Sequence, residues 1–353
     1  MSRRLVSLVV PNMNNGPALD VFFRTLERNT TYPDVEVVVV DDGSSDRSLD
    51  VLRRWRASGR FAEFTLVERP HTGIVDTLNE ALRRVRGELI VRMDGDATVE
   101  TPGWLERMLR LHDADPAVGV VAGRVVLDSG LVHAYGVNCV CPEGFHDGGT
   151  KITEPVGRRT MHGNVERPPE EDVPLAEEPV EVDGAIGCLQ LFSTELAHEI
   201  GGWDRGYSPV WFEDVDFTLE ARRREKKVFL LPEVRVLHRV GLRNPRSADP
   251  RRTELALLAL NRSIGRLVPQ AIKDRVSAAA KLEPELDPEK MALVRRHYAY
   301  WREKWGFDML NPDMEEVRRL YSGTELCWAY DHERREHGRR IAAAYREPSR
   351  TTS

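Results

Sequence analysis

The chain has 353 residues, 41% hydrophobic and 31% charged, which is the composition of an ordinary globular protein. Its 51 Lys+Arg against 57 Asp+Glu give a formal net charge of −6. This acidic balance argues against general nucleic-acid binding, which depends on neutralising phosphates. The first apolar run, residues 5–10, is too short for a signal peptide or a membrane span. We therefore expect a soluble, cytoplasmic protein with no transmembrane segment.

The cysteines do not form a paired framework of the kind that staples small secreted domains. The four of them are Cys139, Cys141, Cys188 and Cys327. Cys139 and Cys141 are separated by one residue, which is tighter than the usual spacing of zinc ligands. We expect these thiols to be structural or incidental, in a protein of a reducing compartment.

Strand and helix patterns alternate along the first half of the chain. The predicted strands are short apolar runs at residues 5–10, 35–40, 64–67, 88–92 and 118–122. The predicted helices, with apolar residues at helical spacing, cover 18–28, 47 to about 57, 74–85 and 102–112. This order predicts an α/β fold with a Rossmann-like, mostly parallel sheet and helices on both faces. In such sheets, ligands bind outside the carboxyl ends of the strands.

The second half differs in character. Residues 142–181 are rich in Gly, Pro and acidic residues, which predicts a long loop or lid. His146, Asp147 and His162 make that loop a candidate part of an acceptor site. From about residue 247 the pattern is helical. We expect an α/β domain over residues 1–245 and a helical C-terminal extension over 246–353.

Two features of the C-terminal extension have simple interpretations. Aromatic residues cluster in one short stretch, at Tyr298, Tyr300, Trp301, Trp305 and Phe307. We expect this cluster to pack against the first domain, with a carbohydrate or partner surface as the alternative. The basic stretch at 334–340 is predicted to be a solvated helix face.

Acidic residues follow two of the predicted strands. Asp94-Gly95-Asp96 can hold a hard cation, because Mg²⁺ and Mn²⁺ prefer oxygen ligands and often bind one or two carboxylates together with substrate phosphates. A solvated turn is the alternative. Asp41-Asp42-Gly43-Ser44 ends the strongest strand, and a carboxylate there could accept hydrogen bonds from a nucleobase. Its alternative is a cap for the following helix.

A third acidic group lies further along the chain, at Glu213-Asp214-Val215-Asp216. Three carboxylates so close together are costly if they are all buried and ionised. One interpretation is a general base with supporting groups, and the other is an exposed helix start favoured by the helix dipole. His238 follows the apolar run at 228–231 and is a candidate ligand, although a lone histidine is more often structural.

In their order along the chain, these motifs resemble those of glycosyltransferase family 2, the inverting enzymes of GT-A fold. The similar segments are Val9-Val10-Pro11-Asn12-Met13-Asn14, Val40-Asp41-Asp42-Gly43-Ser44-Ser45-Asp46, Gly73 with Leu78-Asn79, Asp94-Gly95-Asp96, Gly201-Gly202-Trp203-Asp204, and Glu213-Asp214-Val215-Asp216 with Pro232 and His238. The resemblance covers about residues 5–240. It implies a GT-A fold with a helical C-terminal extension.

The resemblance also implies roles for individual residues. Asp214 would be the catalytic base. The implied nucleotide-sugar-binding residues are Pro11, Asn14, Asp41, Asp42, Gly73, Asn79, Asp94 and Glu213. The implied metal ligands are Asp94, Asp96 and His238, for Mn²⁺ or Mg²⁺. The donor would be a nucleotide diphosphate sugar, with a UDP-sugar favoured, and the acceptor could be a glycan, a lipid-linked intermediate, a small metabolite or a peptide.

The sequence departs from the family pattern in three respects, one of which is that Lys226 or Lys227 stands where the family usually has a glycine after the acidic helix. Asn12-Met13 stands where the family has Thr-Tyr, and the Gln-x-x-Arg-Trp motif of processive synthases is not found. We therefore expect a single addition rather than processive synthesis, and a homo-oligomer is possible. Two other classes stay open: a nucleotidyltransferase, and a non-catalytic module that binds nucleotide sugars or carbohydrates. The stretch 12–16 offers one glycine and no basic residue, which argues against the phosphate loop of the former.

Overall fold

The computed structural model describes seven segments of the chain: residues 4–61, 63–128, 130–137, 170–173, 175–239, 288–307 and 313–346. Several predictions concern residues outside these segments. They are most of the predicted loop, with His146, Asp147 and His162, and the closely spaced pair Cys139 and Cys141. The start of the predicted C-terminal extension also lies outside the described residues.

Ten strands form one sheet within the described segments. They are β1 Val6–Asn12, β2 Val35–Asp42, β3 Glu63–Arg69, β4 Leu89–Met93, β5 Ala97–Val99, β6 Val118–Leu127, β7 Val132–Ala134, β8 Val180–Val182, β9 Leu189–Ser193 and β10 Lys227–His238. Their order is β3-β2-β1-β4-β9-β6-β10-β5, with β7 beside β6 and β8 beside β10. Because β8 is a buried strand, the predicted loop at 142–181 ends earlier than expected.

The sheet is mixed in direction rather than mostly parallel. β3, β2, β1 and β4 run parallel, as predicted, and β6 and β10 also run parallel to each other. β9 lies antiparallel between β4 and β6 and joins the two parallel parts. Its start therefore lies at the edge where β4 ends, with Leu189 opposite Met93. A short buried run such as β9 carries no pattern that reveals its direction.

Helices cover both faces of this sheet, as predicted. They are α1 Gly16–Asn29, α2 Ser48–Ala57, α3 Ile74–Leu82, α4 Trp104–His112, α5 Thr194–Ile200, α6 Glu213–Arg223, α7 Pro288–Trp305, α8 Met314–Tyr321 and α9 His332–Arg346. α1 shows why these segments are helical and buried. Its Leu19, Phe22, Phe23 and Leu26 recur at the spacing of one helix face and are 0–2% exposed. This face packs in the core with α2 and α4, while α3, α5 and α6 cover the opposite face.

The C-terminal helix α7 is part of the same hydrophobic core as the sheet. Trp301 and Trp305 are almost fully buried, in the cluster that also contains α3 and α6 residues. Trp305 Nε1 donates a hydrogen bond to Asp216 Oδ1 at 2.9 Å, and Lys304 Nζ lies 2.7 Å from Asp216 Oδ2. The predicted aromatic contact with the first domain is therefore present, and residues 288–346 do not stand apart from that domain.

The helix α9 corrects the prediction of a solvated basic face. Arg334 is half-buried and its Nε donates to Glu325 Oε2 at 3.1 Å, while His337 lies 3.0 Å from Asp115. Gly338 is buried against Glu181. Some charged side chains of this stretch therefore contact carboxylates in the rest of the fold. The number of basic residues in the sequence does not predict such contacts. Of the helices that the structure describes, none is long and apolar enough to cross a membrane.

Candidate active site

A cavity of about 630 Å³ opens where β1, β4 and β10 end. It is bounded by the start of β9, by the loop before α6 and by α7. Most of the predicted site residues line it, namely Pro11, Asp42, Gly73, Asp94, Asp96, Glu213, Asp214 and His238. These residues, which are distant in the sequence, thus line one cavity at the edge of the sheet where ligands are expected to bind.

Two predicted donor-binding residues instead hold the loops beneath the cavity. Asp41 is buried and accepts a hydrogen bond from Asn12 Nδ2 at 2.6 Å and another from the backbone N–H of Ser44 at 2.9 Å. Asn14 Oδ1 accepts from the backbone N–H of Ser45 at 2.8 Å. These bonds tie the loop after β1 to the loop after β2. Neither residue lines the cavity.

Asn79 also lies away from the cavity, in contrast to the prediction. Its Nδ2 donates to the carbonyl of Trp203 at 2.8 Å, and its Oδ1 accepts from the N–H of Trp203 at 2.9 Å. The pair of bonds fixes α3 to the Gly201-Gly202-Trp203 segment. A side-chain Cβ at Gly202 would lie 2.2 Å from Asn79 Oδ1, so glycine is required for this close approach. Asn79 has a structural role here, because its side-chain N–H and C=O groups both form hydrogen bonds with the backbone of Trp203.

Asp42 shapes one wall of the cavity. Its carboxylate accepts from the backbone N–H groups of Thr72 and Gly73 at 2.9 and 2.8 Å, and lies 2.7 Å from His71 Nδ1. Gly73 has a φ of 101°, and a Cβ there would lie 2.4 Å from Pro209. His71 was not a predicted site residue. It lines the cavity, and its half-exposed ring lies against the Asp42 carboxylate.

A buried arginine supports the acidic residues, and the sequence reasoning missed it. Arg92 Nη2 donates to Glu213 Oε1 at 2.7 Å and lies 4.0 Å from Asp94 Oδ1. A Cβ at Gly187 would lie 2.2 Å from Arg92 Cζ, which explains that glycine. Burial raises the pKa of Glu213 to about 7, with Asp214 as the second cause. One feature of the sequence could have identified Arg92, namely that it is a single arginine within the apolar strand β4. A buried cation requires a carboxylate partner, so such an arginine indicates an acidic group nearby.

Asp214 is the carboxylate best placed to act on a ligand. It lies in the first turn of α6, is half-buried, and lines the cavity. Its Oδ2 accepts from the backbone N–H of Gly187 at 2.8 Å, and its Oδ1 accepts from the N–H of Val215 at 2.8 Å. These bonds fix the orientation of the side chain. Glu213, by contrast, is almost fully buried against Arg92.

The third acid of this motif faces another way. Asp216 is buried against Lys304 and Trp305 of α7 and does not line the cavity. Burial raises its pKa to about 6. Its function is to attach the C-terminal helix to α6. The three neighbouring carboxylates therefore have three different surroundings.

The oxygen and nitrogen atoms at the ends of β4 and β10 fit a hard divalent cation. Asp94 and Asp96 follow β4, and His238 Nε2 lies 3.3 Å from Asp96 Oδ1. Asp94 Oδ1 is buried and has no hydrogen-bond partner among the described residues. Burial raises the pKa of Asp94, and the negative charge of Asp96 adds to the effect. A cation would relieve both the missing contact and the repulsion between the carboxylates.

Two further metal-binding side chains lie beside this set and were not predicted as ligands. His133 of β7 and Cys188, directly before β9, both line the cavity. Cys188 Sγ is 3.8 Å from His238 Nδ1, and the rings of His133 and His238 are 5.1 Å apart. Burial raises the pKa of the Cys188 thiol. No spacing pattern connects these residues in the sequence.

The mixed sheet, with helices on both faces and an acidic cavity at the strand ends, has the architecture of the GT-A fold. Residues 7–172 match the profile of the family described as glycosyl transferase family 2. The chain therefore carries a glycosyltransferase family 2 domain. This confirms the family and the fold class predicted from the motifs.

Curated relatives agree with this assignment over about a third of the chain. Validoxylamine A glucosyltransferase of Streptomyces hygroscopicus subsp. limoneus is 32% identical over 120 residues, 34% of this chain and 26% of that protein. An N-acetylglucosaminyltransferase of Rhizobium leguminosarum bv. trifolii is 33% identical over 127 residues, 34% of this chain and 66% of that protein. The chain thus spans only about a quarter of the length of the first of these relatives.

Two solved structures share the fold. GalNAc-T7 with UDP, GalNAc and Mn²⁺ superposes with a TM-score of 0.52 and 16% identity, covering 67% of this chain and 44% of that one. S. aureus TarS 1-349 in complex with UDP-GlcNAc superposes with a TM-score of 0.50 and 16% identity, covering 97% and 91% of the two chains. At these identities the likeness establishes the fold.

Proposed function

We propose that the protein transfers one sugar from a nucleotide diphosphate sugar to an acceptor hydroxyl, with inversion at the anomeric carbon. The observation that carries this proposal is the position of Asp214. A half-buried carboxylate, oriented by two backbone N–H groups, lines the same cavity as Asp94, Asp96 and His238. The cavity therefore combines a candidate base with a site for the charged part of a donor.

Asp214 would act as the general base. An acceptor hydroxyl is a weak nucleophile, so a positioned carboxylate takes its proton as the oxygen attacks the anomeric carbon. As the new bond forms, the bond from that carbon to the diphosphate oxygen breaks, and the nucleoside diphosphate leaves with the electron pair. Attack from the face opposite the leaving group gives inversion. The two backbone hydrogen bonds to Asp214 keep the carboxylate in place for this transfer.

Glu213 and Arg92 would support the base rather than replace it. Arg92 is almost fully buried and pairs with Glu213, which fixes the first turn of α6 against β4. Its positive charge also lies near Asp94. A buried cation at this point offsets the cost of holding several carboxylates around one cavity.

The donor would lie along the ends of β1, β2 and β4. Asp42 and Pro11 line that side of the cavity and are proposed to contact the nucleoside, with uracil favoured. UDP and UDP-GlcNAc in the two structures of the same fold support this choice. Asp94, Asp96 and His238 would hold Mn²⁺ or Mg²⁺. When bound, the cation stabilises the negative charge that develops on the leaving diphosphate.

The acceptor would enter beside α7. Trp211 and Phe212 precede the base, and Val294 and Tyr298 of α7 line the same cavity. Trp211 and Phe212 both have positive φ values, 78° and 73°. Such a backbone is unfavourable for bulky side chains and is characteristic of functional sites. We propose that these rings position the acceptor next to Asp214.

Nucleotide binding tests the proposal. Thermal unfolding is measured with UDP, dTDP, GDP and ADP, each with Mn²⁺ and again with EDTA. A nucleotide at 100 times its dissociation constant should stabilise the protein by ~2.7 kcal/mol. We expect one nucleotide, UDP, to do so, and we expect EDTA or Asp96→Asn to remove the effect. Asp113→Asn, which changes a carboxylate outside the cavity, is the matched control. A folded protein that responds to no nucleotide would contradict the proposal.

A further inference from the structure

Three side chains that bind soft metal ions meet within the cavity. His133, Cys188 and His238 each offer one ligand atom, and these atoms lie within 4.8 Å of one another. They come from β7, from the residue before β9 and from the end of β10, so one sheet holds all three. Bond lengths of ~2.0–2.3 Å around a tetrahedral zinc ion separate its ligand atoms by roughly 3.5 Å. Small side-chain rotations would bring the three atoms to that spacing.

The orientation of His238 favours such a site. Its Nδ1 lies 3.8 Å from Cys188 Sγ, while its Nε2 lies 3.3 Å from Asp96 Oδ1. A histidine that binds metal through one ring nitrogen commonly donates its other N–H to a carboxylate. His238 thus presents Nδ1 toward the thiol and Nε2 toward Asp96.

We propose that His133, Cys188 and His238 bind a soft divalent cation such as Zn²⁺, at a site that competes for His238 with the carboxylate site. Thiolate and imidazole ligands suit Zn²⁺, whereas Mg²⁺ and Mn²⁺ prefer oxygen ligands. The Cys188 thiol passes its proton to solvent as the sulfur–metal bond forms, and no atom is oxidised or reduced. The competition rests on the proposed function, whereas the binding of the soft cation does not.

Cobalt absorption tests the binding directly. Co²⁺ substitutes for Zn²⁺, and a thiolate ligand gives it a near-ultraviolet charge-transfer band that oxygen ligands do not give. The parent protein is the full chain with Cys139→Ser and Cys141→Ser, which removes two other thiols. We expect about one band-forming ion per chain, displaced by Zn²⁺. Cys188→Ser should abolish the band, and His133→Gln should weaken Co²⁺ binding by at least the ~10-fold that an outer-shell partner contributes.

Cys327→Ser is the matched control, because Cys327 is a second buried thiol outside the cavity. It should leave the band unchanged. A band that survives Cys188→Ser, or no band in the folded parent, would overturn the proposal. Nucleotide binding by the same protein separates this failure from a failure of the proposed function, since neither readout requires the other.

The competition has its own readout. Zn²⁺ should reduce the Mn²⁺-dependent stabilisation by nucleotide in the parent, and it should do so less in Cys188→Ser. An equal reduction in both proteins would show that Zn²⁺ acts elsewhere and would overturn the competition.

Discussion

Replacement of Asp214 by asparagine is expected to lower turnover by ~10²–10⁴-fold, the usual contribution of one positioned general base. Asparagine keeps the size of the side chain but cannot take a proton from the acceptor. The metal ligands and Asp42 are unchanged, so nucleotide binding should persist. Initial rates at saturating donor, together with thermal stabilisation by the nucleotide, separate these two effects.

The control for this variant must account for its hydrogen bonds. Both oxygens of Asp214 accept backbone N–H groups, and the amide of asparagine can serve only one of them. An unsatisfied buried group costs about 1–3 kcal/mol, so some loss of stability is expected without loss of the fold. Rates are therefore compared well below the unfolding temperature, with Asp113→Asn as the matched carboxylate. Turnover within a few-fold of the unchanged protein would exclude Asp214 as the base.

Replacement of Arg92 by methionine is expected to reduce the free energy of unfolding by about 3–5 kcal/mol, the typical cost of removing one partner of a buried ion pair. The variant leaves Glu213 buried without its cation, next to Asp214. Denaturant unfolding at pH 8 measures the change. Arg54→Met removes an exposed pair with Asp20 and should cost only ~0.2–1 kcal/mol.

The double variant with Glu213→Gln tests the cause of that loss. If the uncompensated charge is responsible, adding Glu213→Gln should restore roughly 0.5–3 kcal/mol, the range of coupling between contacting residues. Arg92→Met with no more effect than Arg54→Met, or a double variant no more stable than Arg92→Met alone, would contradict this account.

The penalty of Arg92→Met should also depend on pH. Burial raises the pKa of Glu213 from its ordinary 4.5 to about 7, and loss of Arg92 raises it further. The folded variant therefore binds a proton more tightly than the unfolded chain does. Its stability should rise as the pH falls through this further raised pKa, which lies above about 7, because the carboxyl becomes neutral. Protonated Glu213 needs no cation, so the difference from the unchanged protein should shrink as the pH falls to about 7, below which Glu213 is neutral in both proteins.

Much of the site could be predicted because parallel strands end at one edge of a sheet. Asp42 ends β2, and Asp94 and Asp96 lie in the turn after β4, so a correct strand assignment was enough to bring them together. Asp214 and His238 were assigned by resemblance, and the structure places both at the same cavity. Their roles stay proposals.

The other features of the site depend on contacts between residues far apart in the chain, and such contacts leave no local pattern in the sequence. Asn79 has the motif of a donor-binding residue, yet both its polar groups are taken by Trp203 across the fold. Cys188 joins His238 because β9 enters the sheet antiparallel, between β4 and β6, and His133 joins it because β7 and β10 both pair with β6. The tie between Asp216 and α7 likewise depends on how the C-terminal helix packs. Long-range packing, rather than residue type, decided each of these outcomes.

The central claim is that this cavity breaks the bond between a sugar and a nucleoside diphosphate, and the products test it most directly. The folded protein is incubated with Mn²⁺ and the sugar donor of the nucleotide that stabilises it, without acceptor. We predict slow release of nucleoside diphosphate and free sugar, since water can replace the acceptor, and we predict that EDTA stops it. Release of nucleoside monophosphate and sugar phosphate would indicate a nucleotidyltransferase. No product from a donor that binds would indicate a binding module, and either result would contradict the account.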